Sequence, residues 1–183
     1  MVSTSIVVCR HLVTPVGQVT LGAIGGQLCL CDWENSKRRI RNDNRLKCLL
    51  KAEFMDFAFV DGDMNRDLLV LRKAEQELYE YFSGKRKSFD IPLLMVGTDF
   101  QKRVWQALMS IPYGSTVSYL DVARRIGNPK SVRAVAQAIG SNLMSILVPC
   151  HRVVGSNGRL TGYAGGVDAK HFLLQLEDGS RLA

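Results

Sequence analysis

Pro149-Cys150-His151-Arg152 sets a thiol beside an imidazole directly after the apolar run Ile146-Leu147-Val148. Such a cysteine is either filler for a core or a nucleophile. A free thiol has a pKa near about 8.5, so little of it is thiolate at neutral pH, and a neighbouring histidine or a water relay raises that fraction. Pro149 removes a backbone donor and holds Val148 extended, so the segment leaves its strand sharply and presents Cys150 at a turn. Side chains of adjacent residues diverge. Cys150 and His151 therefore need a bridging water, or a third group that orients the histidine. An arbitrary Cys-His pair is more often a small buried hydrophobe beside a capping residue, so context decides.

The elements that position this pair follow from the rest of the chain. Its 183 residues fit one large or two small domains with enough apolar content for a core. The net charge of +7 points to a polyanionic partner, and it is uneven: residues 1–96 hold 14 basic and 12 acidic side chains, residues 97–183 hold 10 and 5. The basic excess lies with the Cys-His pair. Five cysteines, an odd number, and a start without a charged segment leading into a long apolar stretch argue for a reducing, intracellular compartment. No run approaches the ~18 apolar residues of a membrane span.

Ser5 to Cys9, Val16 to Ala23 and Gln27 to Trp33 read as strands, with Gly25-Gly26 as a hairpin turn, giving a small antiparallel sheet. Ser36 to Lys51 reads as a basic helix carrying Lys37-Arg38-Arg39 and Arg41, more simply a solvated face than a phosphate site. Asp67 caps a helix to Phe82 that Gly84 ends. Residues 84–97 read as a linker, with the domain boundary near residues 90–97.

Thr98 and Gln101 have capping-box spacing and open a helix with Phe100, Val104, Trp105 and Leu108 inward, stopping at Pro112-Tyr113-Gly114. Helices over about Ser118 to Ile126 and Ser131 to Gly140 flank Gly127-Asn128-Pro129-Lys130 in the layout of a helix-turn-helix. The second is built of small residues around Arg133, which lets its backbone approach another surface. Gly155-Ser156-Asn157-Gly158 reads as a tight turn between short strands, a wing beside the helix pair. A glycine-rich loop, Gly162-Tyr163-Ala164-Gly165-Gly166, precedes a last helix from about Asp168 to Glu177.

Val148-Pro149-Cys150-His151-Arg152-Val153-Val154, followed by Gly162 to Gly166, closely resembles the O6-alkylguanine-DNA alkyltransferases, or methylated-DNA-protein-cysteine methyltransferases. The likeness spans about residues 98–178 and takes in Tyr119, Arg133-Ala134-Val135, Ser141-Asn142 and Glu177. It implies an α+β fold of two domains: residues 1–95 with a small ribonuclease H-like antiparallel sheet and helices, and residues 96–183, mostly helical, with a winged helix-turn-helix. It also implies irreversible, once-only transfer of a methyl or other alkyl group from guanine O6, with activity on thymine O4 left open, to Cys150, without metal or other cofactor. His151 deprotonates Cys150 through a water, Glu177 orients His151, and Asn142 organises the same network. The damaged nucleotide leaves the stack, at a cost of a few kcal/mol. Arg133 fills the gap, with Ala134 on the same minor-groove helix and Ser141 after it. Tyr119 rotates the phosphate and donates to the base. The backbone at Cys150 and Val153 accepts from the guanine amino group, amides near Tyr163 and Ala164 bond O6, and Lys170 steadies the loop. The partner is double-stranded DNA containing O6-alkylguanine, and the protein a monomer of the cytoplasm, or of the nucleus in a eukaryote.

The chain departs from many relatives at Leu143 and Ala164, which leaves the alkyl size open. Cys9, His11, Cys29 and Cys31 offer a Cys-x-His and a Cys-x-Cys. Their spacing differs from the zinc pattern of some relatives, and they read as strand or core residues. Two other classes compete: a lesion-sensing DNA-binding protein without transfer activity, against which Cys150 counts, and a cysteine hydrolase, which leaves Arg133 and the helix pair unexplained.

Overall fold

Branched and apolar residues dominate three runs near the amino terminus, and in the computed structural model, which describes residues 5–56 and 65–179, each forms a strand. These are β1 (Ser5–Thr14), β2 (Gly17–Ile24) and β3 (Gln27–Trp33), joined as antiparallel neighbours. Gly25 and Gly26 take φ of 60° and 78° between β2 and β3, the conformation a two-residue hairpin turn demands. The first strand is longer than the expected Ser5 to Cys9, since pairing with β2 continues to Thr14 opposite Gly17.

The sheet is not purely antiparallel as expected. Helix α1 (Arg39–Leu50) carries the chain back, and Lys51, in a left-handed conformation, closes it and leads into β4 (Ala52–Asp56), which runs parallel to β1. Parallel neighbours need such a crossover. The order is β3-β2-β1-β4. Helix α2 (Asn65–Phe82) lays Leu71, Ala74, Leu78 and Tyr81 into a core with Val7, Leu21, Leu28 and Leu30. Asp67 stands in its first turn, where its carboxylate accepts from the Gly26 amide at 2.6 Å and ties the hairpin to the helix. Part of the expected linker is structural: Leu28 exchanges backbone bonds with Pro92 and Leu94. This unit spans Met1–Val96.

The second unit spans Gly97–Ala183. Thr98 accepts from the Gln101 amide while the Gln101 side chain accepts from the Thr98 amide, a complete capping box for α3 (Asp99–Met109). Ser118 and Asp121 repeat the device at α4 (Tyr119–Arg125), and a 3-10 turn over Pro129–Ser131 leads into α5 (Val132–Ile139). Val104, Trp105 and Leu108 of α3, Val122 and Ala123 of α4, and Val135, Ala138 and Ile139 of α5 form the core. Trp105 adds a bond from its indole to Ala138 O at 2.9 Å. Helix α6 (Val167–Asp178) buries Leu173 and Leu176.

One expected element is absent among the described residues. The turn at Gly155–Gly158 forms, with the Gly155 amide bonded to Arg159 O, but strands do not flank it on both sides. Only β6 (Val153–Val154) precedes it, and its partner is β5 (Val117–Ser118), in parallel. After Leu160 and Thr161 the sequence turns glycine-rich, which gives a second strand little to build on.

Candidate active site

Residues 141–149 are buried throughout yet belong to no helix or named strand, so their backbone groups must be satisfied locally. Two three-residue turns do this. Leu147 N bonds Ser145 O at 2.9 Å around Ile146, whose φ is 72°, and Cys150 N bonds Val148 O at 2.7 Å around Pro149, at φ −78° and ψ 64°. The second is the common inverse γ-turn, for which proline is preset; the first is the rare, strained kind, and on a β-branched residue it is a conformational outlier.

The Asn142 amide binds these turns together. Its Nδ2 donates to Met144 O at 3.2 Å, Val148 O at 3.0 Å and Cys150 Sγ at 3.3 Å, while its Oδ1 accepts from Met144 N at 2.9 Å. The amide thus holds the strained loop and points a donor at the sulfur.

His151, on the 3-10 turn Cys150–Arg152, has no exposed surface, and its Nε2 lies 2.8 Å from Glu177 Oε1. Burial pulls the imidazole pKa down, against the opposing pull of Glu177, so the ring is neutral near pH 7. A carboxylate takes no proton at that pH, so Nε2 carries the hydrogen and Nδ1 holds the lone pair. Nδ1 is a buried atom with no hydrogen-bond partner among the described residues. Glu177 collects three further donors: Arg152 Nε at 2.8 Å, Arg152 Nη2 at 2.9 Å and the Gly114 amide at 3.1 Å. Burial alone would raise its carboxyl, but the bonds and charge from His151 and Arg152 outweigh that and hold its pKa at about 2.

The sequence pattern gives Arg152 no part of its own and Gly114 only that of a helix stop. Arg152 grips Glu177 with two nitrogens, donates to Ile111 O through Nη1, and lies 5.8 Å from the Tyr113 ring centre. Gly114 has φ 75°, and a Cβ there would stand 2.9 Å from Glu177 O. The Pro112-Tyr113-Gly114 stop signal was visible, but the approach of α6 to it was not.

The remaining residues divide into a buried support and an exposed face. Lys170 is 1% exposed and donates to Val153 O at 2.6 Å and Thr161 O at 3.2 Å, clamping the strand after Cys150 to the start of the glycine-rich loop. Burial lowers its pKa, and its charge interacts with Cys150. Tyr163 sets its ring edge-on to His151, centroids 6.4 Å apart, and half-buried Ala164 follows it. The Tyr119 hydroxyl, at the start of α4, bonds Thr161 Oγ1 at 2.8 Å. Arg133 and Ala134 lie exposed on α5. The Ser141 hydroxyl donates to Ala138 O and accepts from Gln101, where it fastens α5 to α3.

The cysteines of the first unit have other surroundings. Cys9 Sγ donates to Val7 O and Cys29 Sγ to Gly22 O, and burial pushes both thiols up to about 12. His11 turns to Glu34 and Thr20. Among the described residues no group of three or more His, Cys, Asp or Glu is placed to hold a metal ion.

The DNA-binding domain model of 6-O-methylguanine DNA methyltransferase matches residues 99–179. A methylated-DNA-protein-cysteine methyltransferase of Methanosarcina barkeri is 41% identical over 167 residues, 91% of this chain and 94% of that protein. The solved O6-methylguanine methyltransferase of Mycobacterium tuberculosis superposes with a TM-score of 0.75 at 38% identity, covering 94% of this chain and 93% of that one. A second structure from that organism, in complex with DNA, gives 0.75 at 37% over the same shares.

Proposed function

Because the chain belongs to the methylated-DNA-protein-cysteine methyltransferase family, a family of direct-reversal DNA repair, we propose that Cys150 is the acceptor and that the Asn142, His151, Glu177 and Arg152 network prepares it. The observation that carries this is the placing of the sulfur against the Asn142 amide in a buried segment whose next residue is a neutral histidine anchored to an anion. Nδ1 of His151, the ring atom left unpaired, takes the thiol proton through one water, and Glu177, held ionised by Arg152, stabilises the imidazolium that results. The thiolate attacks the alkyl carbon, an S–C bond forms as the C–O6 bond breaks, and the electron pair stays on O6. The base leaves as a guanine anion and recovers a proton, and the thioether product leaves no free thiol for a second cycle.

The DNA complex of the Mycobacterium tuberculosis relative supports duplex DNA as the substrate here. Helices α4 and α5 form the helix-turn-helix, the turn at Gly155–Gly158 its wing, and α5 enters the minor groove. Exposed Arg133, with no partner among the described residues, stacks in the gap left by the flipped nucleotide beside small Ala134, while Tyr119 addresses the phosphate and base. The Val153 carbonyl, which Lys170 already uses once, offers its second lone pair to the guanine amino group, and the Tyr163 and Ala164 amides face O6. The antiparallel β1–β3 with β4 added in parallel beside β1 supports a ribonuclease H-like first domain over residues 1–95, the second occupying 96–183. The protein acts as a monomer, in the cytoplasm or a nucleus; no helix among the described residues is long and apolar enough to cross a membrane. Duplex DNA with labelled O6-methylguanine will transfer at most one equivalent of label to the protein, all of it on Cys150. Repeated turnover, or labelling of Cys150→Ser, would overturn the assignment.

A further inference from the structure

Helix α1 of the first unit carries charge that its own fold does not use. Its opening turn, preceded by Lys37 and Arg38, contains Arg39 and Arg41 and no acidic residue, and no side chain caps its first amides. Cations at this end oppose the helix dipole, and Arg41 and Arg45, one turn apart, repel each other. Arg45 is pulled below the ordinary guanidinium range by burial and by the charge of Arg41. On the inward side of the same helix the charges are matched: Arg39 pairs with Asp43 at 2.8 Å and donates to Asp32 O, and Asn42 donates to buried Asp32. Near its end Lys47 pairs with Glu53. The outward residues Lys37, Arg38 and Arg41 are exposed, and neither Lys37 nor Arg41 meets a carboxylate among the described residues. The carboxylates nearest in sequence are engaged elsewhere, Glu34 with His11 and Thr20, Asp43 with Arg39.

We propose that the outward face at the start of α1, Lys37 with Arg38 and Arg41, is a second nucleic-acid contact, holding backbone phosphates of duplex DNA without reading its sequence. The arrangement disfavours the isolated helix and suits a polyanion, and charge complementarity selects DNA, the substrate assigned above, on which reading this inference rests. Phosphate contacts of this kind add affinity that falls with salt and carry no base preference.

The test compares the native protein with the Lys37→Ala, Arg41→Ala double variant, reading affinity for undamaged duplex over a salt series and, separately, consumption of the free base O6-benzylguanine. Loss of two phosphate contacts lowers the slope of log affinity against log salt by about 2, so between about 50 and about 200 mM salt the variant loses roughly tenfold less affinity than the native protein. Reaction with the free base, which has no phosphates, is unchanged, and Lys37→Arg with Arg41→Lys restores the slope. An unaltered slope overturns the proposal, as does an equal change in a Lys85→Ala, Lys87→Ala control that removes the same charge elsewhere. Failure of the native protein to take label from duplex DNA carrying O6-methylguanine would instead overturn the alkyl-transfer reading.

Discussion

Cys9 and Cys150 are almost equally buried, 6% and 7% exposed, yet their surroundings prepare them for opposite fates. Cys9 and Cys29 lie in a sheet core where each sulfur donates to a backbone carbonyl oxygen, and burial outweighs the Arg39 charge at Cys9 and the backbone hydrogen bond at Cys29 that would favour a thiolate. Cys150 receives an amide N–H from Asn142, the charge of Lys170, and a neutral imidazole as its sequence neighbour. Burial alone therefore does not separate a structural thiol from a reactive one. The difference lies in what is gathered round the sulfur: at Cys150 a side-chain amide donor, a buried lysine charge and an adjoining imidazole come together.

The sharpest way to break this contrast is to exchange the sulfurs for oxygen. Cys150→Ser abolishes transfer, whereas Cys9→Ser with Cys29→Ser retains one equivalent on Cys150, both read by intact mass after exposure to O6-alkylguanine DNA. Next comes Glu177→Gln, which leaves Arg152 buried without its anion and His151 without its orienting acceptor. Transfer slows by ~10²- to 10⁴-fold and the fold loses about 3–5 kcal/mol, measured by rapid-quench kinetics and urea unfolding.

Acid should act through the same pair. The folded carboxyl of Glu177, at about 2, lies below its unfolded value, so the stability it contributes is complete above the unfolded pKa and is lost as pH falls toward 2. That amounts to about 3 kcal/mol on the linkage scale. His151, whose folded pKa is also depressed, acts in the same sense from ~6.5 downward, because the unfolded chain takes up the proton first. Urea midpoints across pH 7 to 3 will fall in native protein, and less steeply in Glu177→Gln. Gly114→Ala places a Cβ 2.9 Å from Glu177 O at a φ of 75° and should cost about 1–3 kcal/mol, with slower transfer as Glu177 is displaced. The smallest effect is expected of Cys29→Ala: about 1 kcal/mol of stability in thermal unfolding and no change in transfer rate.

What the sequence made legible was local. The Thr98 capping box, the Gly25-Gly26 turn and the ordered Cys-His and glycine-rich motifs each depend on residues a few positions apart. The misses depend on meetings across the chain. The strand β4 reads Ala-Glu-Phe-Met-Asp, with no branched residue, and is a strand only because β1 accepts it at the edge. The strand expected to pair across the wing turn, Val153 and Val154, instead lies parallel to Val117 and Ser118. Arg152 and Gly114 took their parts only when α6 brought Glu177 between them.

Seen as an energy landscape, the turn at Ile146 is a point of local frustration beside a well-satisfied core. A buried isoleucine to glycine change normally combines a cavity with a looser unfolded chain, whereas at φ 72° part of that loss is returned by the backbone. Position 146 is thus one of the few buried sites here where side chain and main chain disagree about the best residue. The packed neighbours have decided for the side chain, leaving a main chain that is held in place by Asn142 rather than by its own preference.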